Sequence, residues 1–213
     1  SGGTQWRTDL TVANLGPTRA VFSIELLRRD RPNPAPASRS FTLDPELSAG
    51  YPDLVDGLFG HTGAAALRLG LPPGAGLLAT SRTYNQTPGG TFGQDVSLVR
   101  DADAIVAGQT GMLQRLEQSA AFRTNLGLVN VGAEPIDVTV ELFDASAALL
   151  GRLEMALRAF EPRQVDRVFT RVTRSAVEDG VARVFTNTPG GRFVAFASVV
   201  DNTSGDPVLV IAR

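Results

Sequence analysis

Polar and apolar residues alternate along much of the chain with a period of two. One side of the first such segment carries Trp6, Leu10 and Val12, and the other side carries Arg7, Asp9 and Thr11. A period of two predicts a half-buried strand whose apolar side, Trp6 included, faces a core. A second alternating segment follows a short turn and contains Phe22, Ile24 and Leu26, so the two together predict a hairpin.

The first hairpin recurs 116 residues later in the sequence. Without a gap, Arg7–Leu26 aligns with Arg123–Leu142, and 7 of the 20 positions are identical. The same offset returns where Leu69–Thr87 lies over Phe185–Thr203. One offset at both ends of a segment indicates that a whole domain was duplicated.

Further strands are expected between turns rich in glycine and proline, and each half is predicted to close with a short strand, at Val96–Val99 and Val208–Ile211. The shared pattern Val-Asp-x-x-Phe predicts one short helix per half, at Val55–Phe59 and Val165–Phe169. About seven short strands per 100 residues are typical of a β-sandwich. The predicted fold class is therefore all-β.

More specifically, we expect two tandem immunoglobulin-like β-sandwich domains that arose by internal duplication, each with one short helix. The predicted domains are residues 1–105 and 106–213, and each is long enough to enclose its own core. Arg28–Ser40 is rich in proline and predicted to be an exposed loop. Asp101–Ser119 is predicted to be a linker that leads into the second repeat, with a short helix at Leu113–Ala120 as the alternative.

Composition narrows the classes of function. The net charge of −2 gives no electrostatic basis for binding nucleic acid or an anionic membrane surface. The chain has no cysteine, which removes disulfides and thiolate chemistry. All 20 basic residues are arginine, which we attribute to codon bias rather than to a basic binding patch.

Catalytic patterns are not recognised in the sequence. The one histidine, His61, lies in a predicted loop beside glycines, and no nucleophile-elbow pattern surrounds a serine. Glu25 and Glu141 occupy equivalent strand positions on the predicted outer side, where a solvated role is expected. The sequence therefore predicts a protein that is not an enzyme, with no catalytic residue and no cofactor.

Metal binding is likewise not predicted. Asp101–Asp103 and Asp201–Asp206 are oxygen-rich loops of the kind that hold calcium, but neither has the spacing of an EF-hand. Aspartate-rich turns also arise for backbone reasons alone. We therefore assign no metal ligand.

The most regular polar residues form a candidate interaction surface on the outward side of the predicted strands. Its residues are Arg7, Asp9, Arg123, Asn125, Tyr84 and Asn85. One hypothesis is a repeated surface that binds a partner. The alternative is that these side chains make cross-strand contacts that fix strand pairing.

Several strings resemble a known kind of module. They are Gln5–Leu10 (QWRTDL), Ser81–Asn85 (SRTYN), Phe122–Asn130 (FRTNLGLVN) and Ala197–Asn202 (ASVVDN). Over nearly the whole chain, the sequence resembles tandem modules of uncharacterised exported proteins from acidobacterial-type bacteria. The resemblance implies export and a structural or accessory role, and it carries no site residues.

The expected function is that of a non-catalytic extracellular structural or adhesive module, such as a subunit of a bacterial surface fibre or surface layer. The strands next to both chain ends, at Trp6 and Ile211, are expected to have exposed edges that pair with a neighbouring chain. The expected partners are other protein chains, copies of itself included, with no nucleic acid and no membrane insertion. The alternative is a carbohydrate-binding accessory module of a secreted protein.

Overall fold

The structure, a computed structural model, describes residues 5–87 and 89–213. Strands account for 57% of the chain and helices for 5%, which confirms the all-β class. The chain forms two compact units. Unit 1 comprises Ser1–Arg28 and Ala35–Leu98, and unit 2 comprises Arg29–Pro34 and Val99–Arg213.

Unit 1 contains seven strands and one short helix in its described part. They are β1 (Gln5–Asn14), β2 (Ala20–Arg28), β3 (Ala37–Leu43), β4 (Ser48–Tyr51), α1 (Leu54–Gly57), β5 (Ala65–Gly70), β6 (Leu77–Thr87) and β7 (Gly90–Val96). One antiparallel sheet has the strand order β4-β1-β6-β7, and the other has the order β3-β2-β5.

The alternation in β1 and β2 places one side of each strand in the core of unit 1. Leu10 and Val12 of β1 and Phe22 and Ile24 of β2 are at most 2% exposed and belong to one apolar cluster. Trp6 is on the same side of β1 but is 46% exposed at the end of the strand, so its predicted place in the core is wrong. The other expected positions of these two strands agree with the structure.

Unit 2 contains nine strands and two short 3-10 helices, at Asp101–Asp103 and Val168–Arg171. The strands are β8 (Ile105–Val106), β9 (Thr110–Gln118), β10 (Phe122–Asn130), β11 (Ile136–Phe143), β12 (Leu149–Leu157), β13 (Pro162–Val165), β14 (Val177–Thr186), β15 (Arg192–Asp201) and β16 (Pro207–Ile211). One sheet has the order β13-β10-β15-β16, with β8 also paired to β15, and the other has the order β12-β11-β14-β9.

The core of unit 2 draws on both of its sheets. Leu126 and Leu128 of β10, Val140 of β11 and Val184 of β14 are fully buried in one cluster. Strand β10 occupies the same place among its neighbours as β1 does in unit 1, and β11 the same place as β2. The second sheet of unit 2, however, has one strand more, β9.

The predicted hairpin is wrong, because β1 and β2 belong to different sheets and do not pair, and neither do β10 and β11. A buried asparagine instead fixes the turn that follows β1 and the one that follows β10. The side-chain amide of Asn14 donates to the Thr18 and Leu43 carbonyls over 2.9 and 3.0 Å. The amide of Asn130 donates to the Glu134 and Arg158 carbonyls over 2.8 and 2.9 Å. Both asparagines are fully buried, and each side-chain oxygen also accepts from the backbone N–H of the glycine two residues later. Buried amides of this kind hold each turn against a later strand, at the end of β3 in unit 1 and just after β12 in unit 2.

Several sequence-based expectations need correction. Residues 110–118 form strand β9, so the alternative of a helix at Leu113–Ala120 is wrong. The expected strand at Val96–Val99 is wrong as well, since β7 ends at Val96, whereas β16 confirms the strand at Val208–Ile211. The two terminal strands differ in pairing. β6 lies beside the whole of β1 and β4 lies beside Leu10–Ala13, so the expected exposed edge is wrong for that half of β1, whereas β16 is an edge strand that pairs only with β15.

The shared Val-Asp-x-x-Phe pattern does not mark equivalent places. Val55 lies in α1, whereas Val165 is the last residue of β13. The residues that agree structurally are Leu54 and Val168, each fully buried and each preceded by a residue with positive φ. Unit 2 has 3-10 helices instead of the expected short α-helix.

The proline-rich segment is not a wholly exposed loop, because residues 29–34 are part of unit 2. Asn33 is only 6% exposed, and its amide donates to the Phe160 carbonyl over 3.0 Å. Its backbone N–H donates to Ala159, and that of Asp30 donates to Pro162. These bonds hold the segment against the residues between β12 and β13.

Candidate interaction surface

Three of the six candidate residues lie together on the outer side of β1 and β6 in unit 1. Arg7 is directly opposite Tyr84 in the strand register. The Asp9 carboxylate accepts a hydrogen bond from the Tyr84 hydroxyl at 3.4 Å. The Arg7 guanidinium lies 3.6 Å from the carboxylate of Asp53, which follows β4. With Arg82, which lies opposite Asp9, the outer side of this sheet thus carries a mixed group of two cations, two carboxylates and a phenol.

Asp9 has a second contact that fixes the backbone. Its carboxylate accepts from the backbone N–H of Asp53 over 2.9 Å. Asp53 has a φ of 45°, in the left-handed region that non-glycine residues seldom adopt. The bond from Asp9 therefore stabilises the turn that leads from β4 into α1.

Tyr84 is held as a neutral hydrogen-bond donor. Burial raises the pKa of the Tyr84 phenol above its ordinary value, and the negative charge of Asp9 adds to that rise. The Arg82 guanidinium lies 5.1 Å from the centre of the Tyr84 ring and donates to the Thr91 hydroxyl over 3.2 Å. Arginine stacked on an aromatic ring in this way stabilises the pair of side chains.

The corresponding residues of unit 2 have different partners. The Arg123 guanidinium donates to the Asn202 side-chain oxygen over 2.7 Å. The Asn125 side-chain oxygen accepts from the backbone N–H of Arg167 over 3.1 Å, and Arg167 has a φ of 50°. Asn125 thus has the same structural task as Asp9, because each fixes a left-handed residue ahead of a short helix.

The sixth candidate residue, Asn85, lies on the other side of β6. It is 5% exposed, so it cannot take part in a surface that includes Tyr84. Its side-chain oxygen has no hydrogen-bond partner among the described residues. Neighbouring residues of a strand face opposite ways, and this is why the sequence pair Tyr84-Asn85 does not form one site.

The charged residues that the sequence placed on outer strand positions are paired within their own unit. The Glu25 carboxylate accepts from the Arg68 guanidinium over 2.5 Å. Glu141 forms ion pairs with both Arg152 and Arg183, which lie directly opposite it on the two flanking strands. Glu141 is only 2% exposed, so its predicted solvated position is wrong.

The two arginines control the ionisation of Glu141. Burial alone would raise the pKa of the Glu141 carboxyl, but hydrogen bonds from Arg152 and Arg183 hold that pKa below its ordinary value. The Arg183 guanidinium also lies 5.3 Å from the centre of the Phe143 ring. The group therefore acts as a charged cross-link between three strands.

The oxygen-rich loops have partners of their own. Asp101 pairs with Arg192 at 2.9 Å, and Asp103 pairs with Arg100 at 2.8 Å. The Asp201 carboxylate accepts from the backbone N–H groups of residues 203 and 204, as in an Asx turn. Within the described part of the chain, no group of three or more histidine, aspartate or glutamate side chains could hold a metal ion.

Hydrophobic side chains are exposed mainly in unit 1. Of the eight large hydrophobic residues that are exposed, six belong to unit 1 (Trp6, Leu15, Val21, Leu47, Leu78 and Leu98) and two to unit 2 (Leu149 and Val208). Among the described residues, no strand lies on the outer edge of β5. These two features are the ones that sequence patterns missed, since neither exposure nor edge position leaves a local signal.

Comparisons of the chain with protein-family models, with curated proteins and with solved structures find no match. None of the helices in the described residues has the length and apolar character that a membrane crossing requires.

Proposed function

We propose that the protein is a non-catalytic structural or adhesive module on the outside of a bacterial cell, which joins other protein chains by strand addition. The observation that carries the proposal is the outer edge of β5, since β2 is its only strand neighbour in the described residues. An edge of this kind pairs readily with a strand from another chain. The resemblance to exported tandem modules supports the location.

The proposal includes the finer fold, two immunoglobulin-like sandwiches that arose by duplication, with the division between them at Leu98 and Val99 instead of at residue 105. Three equivalences support it. The buried Asn14 and Asn130 make matching bonds, Asp9 and Asn125 fix matching turns, and the Glu25–Arg68 pair matches the Glu141–Arg183 pair. Two domains that descend from one ancestor are expected to share contacts in this way.

Sedimentation velocity of the full chain at increasing concentration tests the assembly. We expect species larger than the monomer whose share rises with concentration, and negative-stain microscopy should then show chains joined end to end. A chain that stays strictly monomeric over the whole range would contradict the proposal.

A matched pair of variants identifies the edge that assembles. Successive backbone N–H groups of an edge strand point alternately to its neighbour and outward, and proline removes one of them. One of Ala65→Pro and Ala66→Pro therefore removes an outward N–H group while the bond to β2 stays intact. We expect the variant that keeps a cooperative unfolding transition to lose assembly, and unchanged assembly in both would exclude this edge.

The second candidate, a carbohydrate-binding accessory module, draws on the exposed ring of Trp6. Exposed aromatic rings are the surfaces on which sugars stack, and Trp6 is the only tryptophan of the chain. A titration with soluble glycans, followed by the fluorescence of Trp6, tests it. Saturable quenching that Trp6→Ala removes would favour this candidate over the first.

A further inference from the structure

In unit 2, a segment from a distant part of the sequence is seated on the turn that follows β12. The segment is residues 29–34, which belong to unit 2 although they connect β2 to β3. Its Asp30 N–H donates to the Pro162 carbonyl over 2.9 Å, and its Asn33 N–H donates to the Ala159 carbonyl over 2.9 Å. The turn therefore binds the segment through main-chain carbonyls, which do not depend on the side chains of the turn.

Asn33 makes the most specific contact of the segment. Its side chain is buried, and the side-chain amide donates to the Phe160 carbonyl over 3.0 Å and to the Arg31 carbonyl over 2.9 Å. One amide thus binds the turn and fixes the shape of the segment. Pro32 and Pro34 flank the asparagine, and because proline fixes its own φ, the segment loses little conformational freedom when it binds.

Unit 1 has the same turn after β3, at residues 44–47. The carbonyls of Leu47 and Glu161 both accept from the backbone N–H of the buried asparagine of their own unit, over 2.9 and 3.0 Å. The residue before each has a positive φ, 61° in Glu46 and 50° in Phe160. The two turns thus have the same backbone course, so the segment seated on one is a guide to what fits the other.

The carbonyls that hold the segment in unit 2 have counterparts in unit 1. Pro45 and Glu46 take the places of Ala159 and Phe160 in the turn. Within the described residues, neither the Pro45 nor the Glu46 carbonyl accepts a hydrogen bond. Both turns therefore present acceptors at matching positions, but those of unit 1 are open to a donor from another molecule.

Exposed leucines surround the turn of unit 1. Leu15 directly follows Asn14, Leu47 accepts from the Asn14 N–H through its carbonyl, and Leu78 lies opposite Ala13 in the strand register. All three leucines are exposed, and they form what is called here the leucine patch. Contiguous apolar surface of this kind is typical of a site that a partner covers.

The residues that correspond to the leucine patch in unit 2 are less exposed. They are Val131 and Val194, which are partly buried, and Glu161, which is buried. The equivalent place is therefore more completely covered in the unit whose turn holds a segment.

The charge of the turn in unit 1 favours a basic partner. Asp44 and Glu46 are both exposed, and Asp44 stands where unit 2 has Arg158. In unit 2 the Arg158 guanidinium donates to the Asp30 carbonyl over 2.6 Å. A carboxylate in that place accepts instead of donating, so a segment that binds unit 1 needs a cationic side chain beside its asparagine.

We infer that residues 44–47 and the leucine patch of unit 1 bind a basic segment of another protein chain that carries an asparagine between two prolines. The asparagine donates to the Glu46 carbonyl through its amide and to the Pro45 carbonyl through its N–H. Its prolines cover the leucine patch, and an arginine pairs with Asp44. The inference goes beyond the proposed function, because it uses a surface other than the edge of β5 and needs no strand addition.

The chain itself supplies a suitable probe. Residues 28–36 (RRDRPNPAP) contain the asparagine, both flanking prolines and three arginines. A synthetic peptide of this sequence with blocked ends is titrated into the isotope-labelled full chain, and amide chemical shifts are followed by NMR. Because the turn of unit 2 already holds this segment, we expect saturable shifts at residues 44–48 and in the leucine patch, with none at residues 158–162.

A matched pair of variants separates this site from a general apolar surface. Leu47→Ser should weaken binding at least roughly fivefold, since it removes one leucine from the contact. The control Val21→Ser changes a side chain that is 56% exposed, against 52% for Leu47, but lies on the other sheet, so binding should stay the same. Both positions are exposed, so both variants should fold.

A second peptide and a change of salt test the polar contacts. With alanine in place of asparagine, the peptide should bind roughly tenfold more weakly, because the amide donor is lost. Binding should also weaken as salt rises, because the arginines of the peptide face Asp44 and Glu46.

Three results would overturn the inference. They are shifts that do not saturate, shifts confined to residues 158–162, which would assign the peptide to unit 2, and equal weakening by Leu47→Ser and Val21→Ser. The proposed function can fail separately. If a chain that stays monomeric in sedimentation binds the peptide, the proposed assembly is wrong and the inference stands, whereas assembly without peptide binding would leave only the proposed function.

Discussion

Units 1 and 2 follow the same strand order but differ in how completely the second sheet is built. Unit 2 has β9 on the edge of β14, and 19 buried hydrophobic residues form its cluster. The cluster of unit 1 has seven such residues, and β5 has no strand on its outer edge in the described residues. Leu113 and Leu116 of β9 account for part of this difference, because both are fully buried in the cluster of unit 2.

The largest expected effect is a difference in stability between the two units. Since burial of apolar surface is the main stabilising term in folding, unit 1 should unfold at least about 10 °C below unit 2. Differential scanning calorimetry should show two transitions, and the fluorescence of Trp6 should follow the lower one. A single transition seen by both methods would break the comparison.

The next effect concerns the leucines of β9. We expect Leu116→Ala to destabilise unit 2 by about 2–5 kcal/mol, because it leaves a cavity in a closed core. The matched control, Leu67→Ala in β5, should lower the stability of unit 1 by less than about 1.5 kcal/mol, since Leu67 is already partly exposed. Chemical denaturation followed by circular dichroism and by Trp6 fluorescence separates the two, and equal losses would contradict the open edge.

The buried asparagines are a feature that the two units share, so the same substitution should affect both units alike. Asn14→Ala and Asn130→Ala each leave buried backbone carbonyls without a donor, so each should destabilise its own unit by about 2 kcal/mol. The same denaturation experiments measure both losses. If only one variant were destabilised, the equivalence of the two turns would have to be given up.

The smallest expected effect is a pH dependence confined to unit 2. Since the pKa of Glu141 is lowered in the folded state, its pairing stabilises unit 2 above the ordinary glutamate pKa of about 4.3 and is lost as pH falls through the lower folded value. Glu141→Gln should destabilise unit 2 by roughly 1–2 kcal/mol at pH 7, because it removes both ion pairs. The loss stays this small because Arg152 and Arg183 are about half exposed and remain solvated.

Calorimetry between pH 3 and pH 7 checks this prediction. The upper transition of the unmodified chain should move down as pH falls below about 4.3, and the Glu141→Gln variant should show a smaller slope. The glutamate of the Glu161–Arg158 pair also has a lowered pKa and adds to the slope, so a residual dependence is expected in the variant. An identical slope in both proteins would contradict the role of Glu141.

The sequence was sufficient to predict strands whose two sides face core and solvent. In β1 and β10, Leu10 and Leu126 alternate with polar residues, because successive side chains of a pleated strand face opposite ways. β9 was missed, because Leu113 and Leu116 are three residues apart, a spacing typical of a helix. Burial of Glu141 was missed for a different reason, since Arg152 and Arg183 approach it only after the strands pair.

The candidate surface could also be predicted only in part from the sequence. The sequence correctly selected Arg7, Asp9, Arg123 and Asn125 as outward polar residues of matching strands. It gave no sign of Asp53 and Arg167, whose left-handed backbone is what Asp9 and Asn125 stabilise. Those contacts depend on how a loop returns to a strand more than 40 residues away, which local patterns do not encode.

The kink in β9 has a consequence for the direction in which a sheet can grow. Arg115 has a φ of 58°, and the register with β14 shifts between Gly180 and Ala182. Such a bulge turns both leucines to the same side and twists the outer edge of β9, so that the backbone there no longer matches an incoming straight strand. Unit 2 therefore ends its second sheet at a bent strand, whose outer edge is poorly suited to extension by a further straight strand.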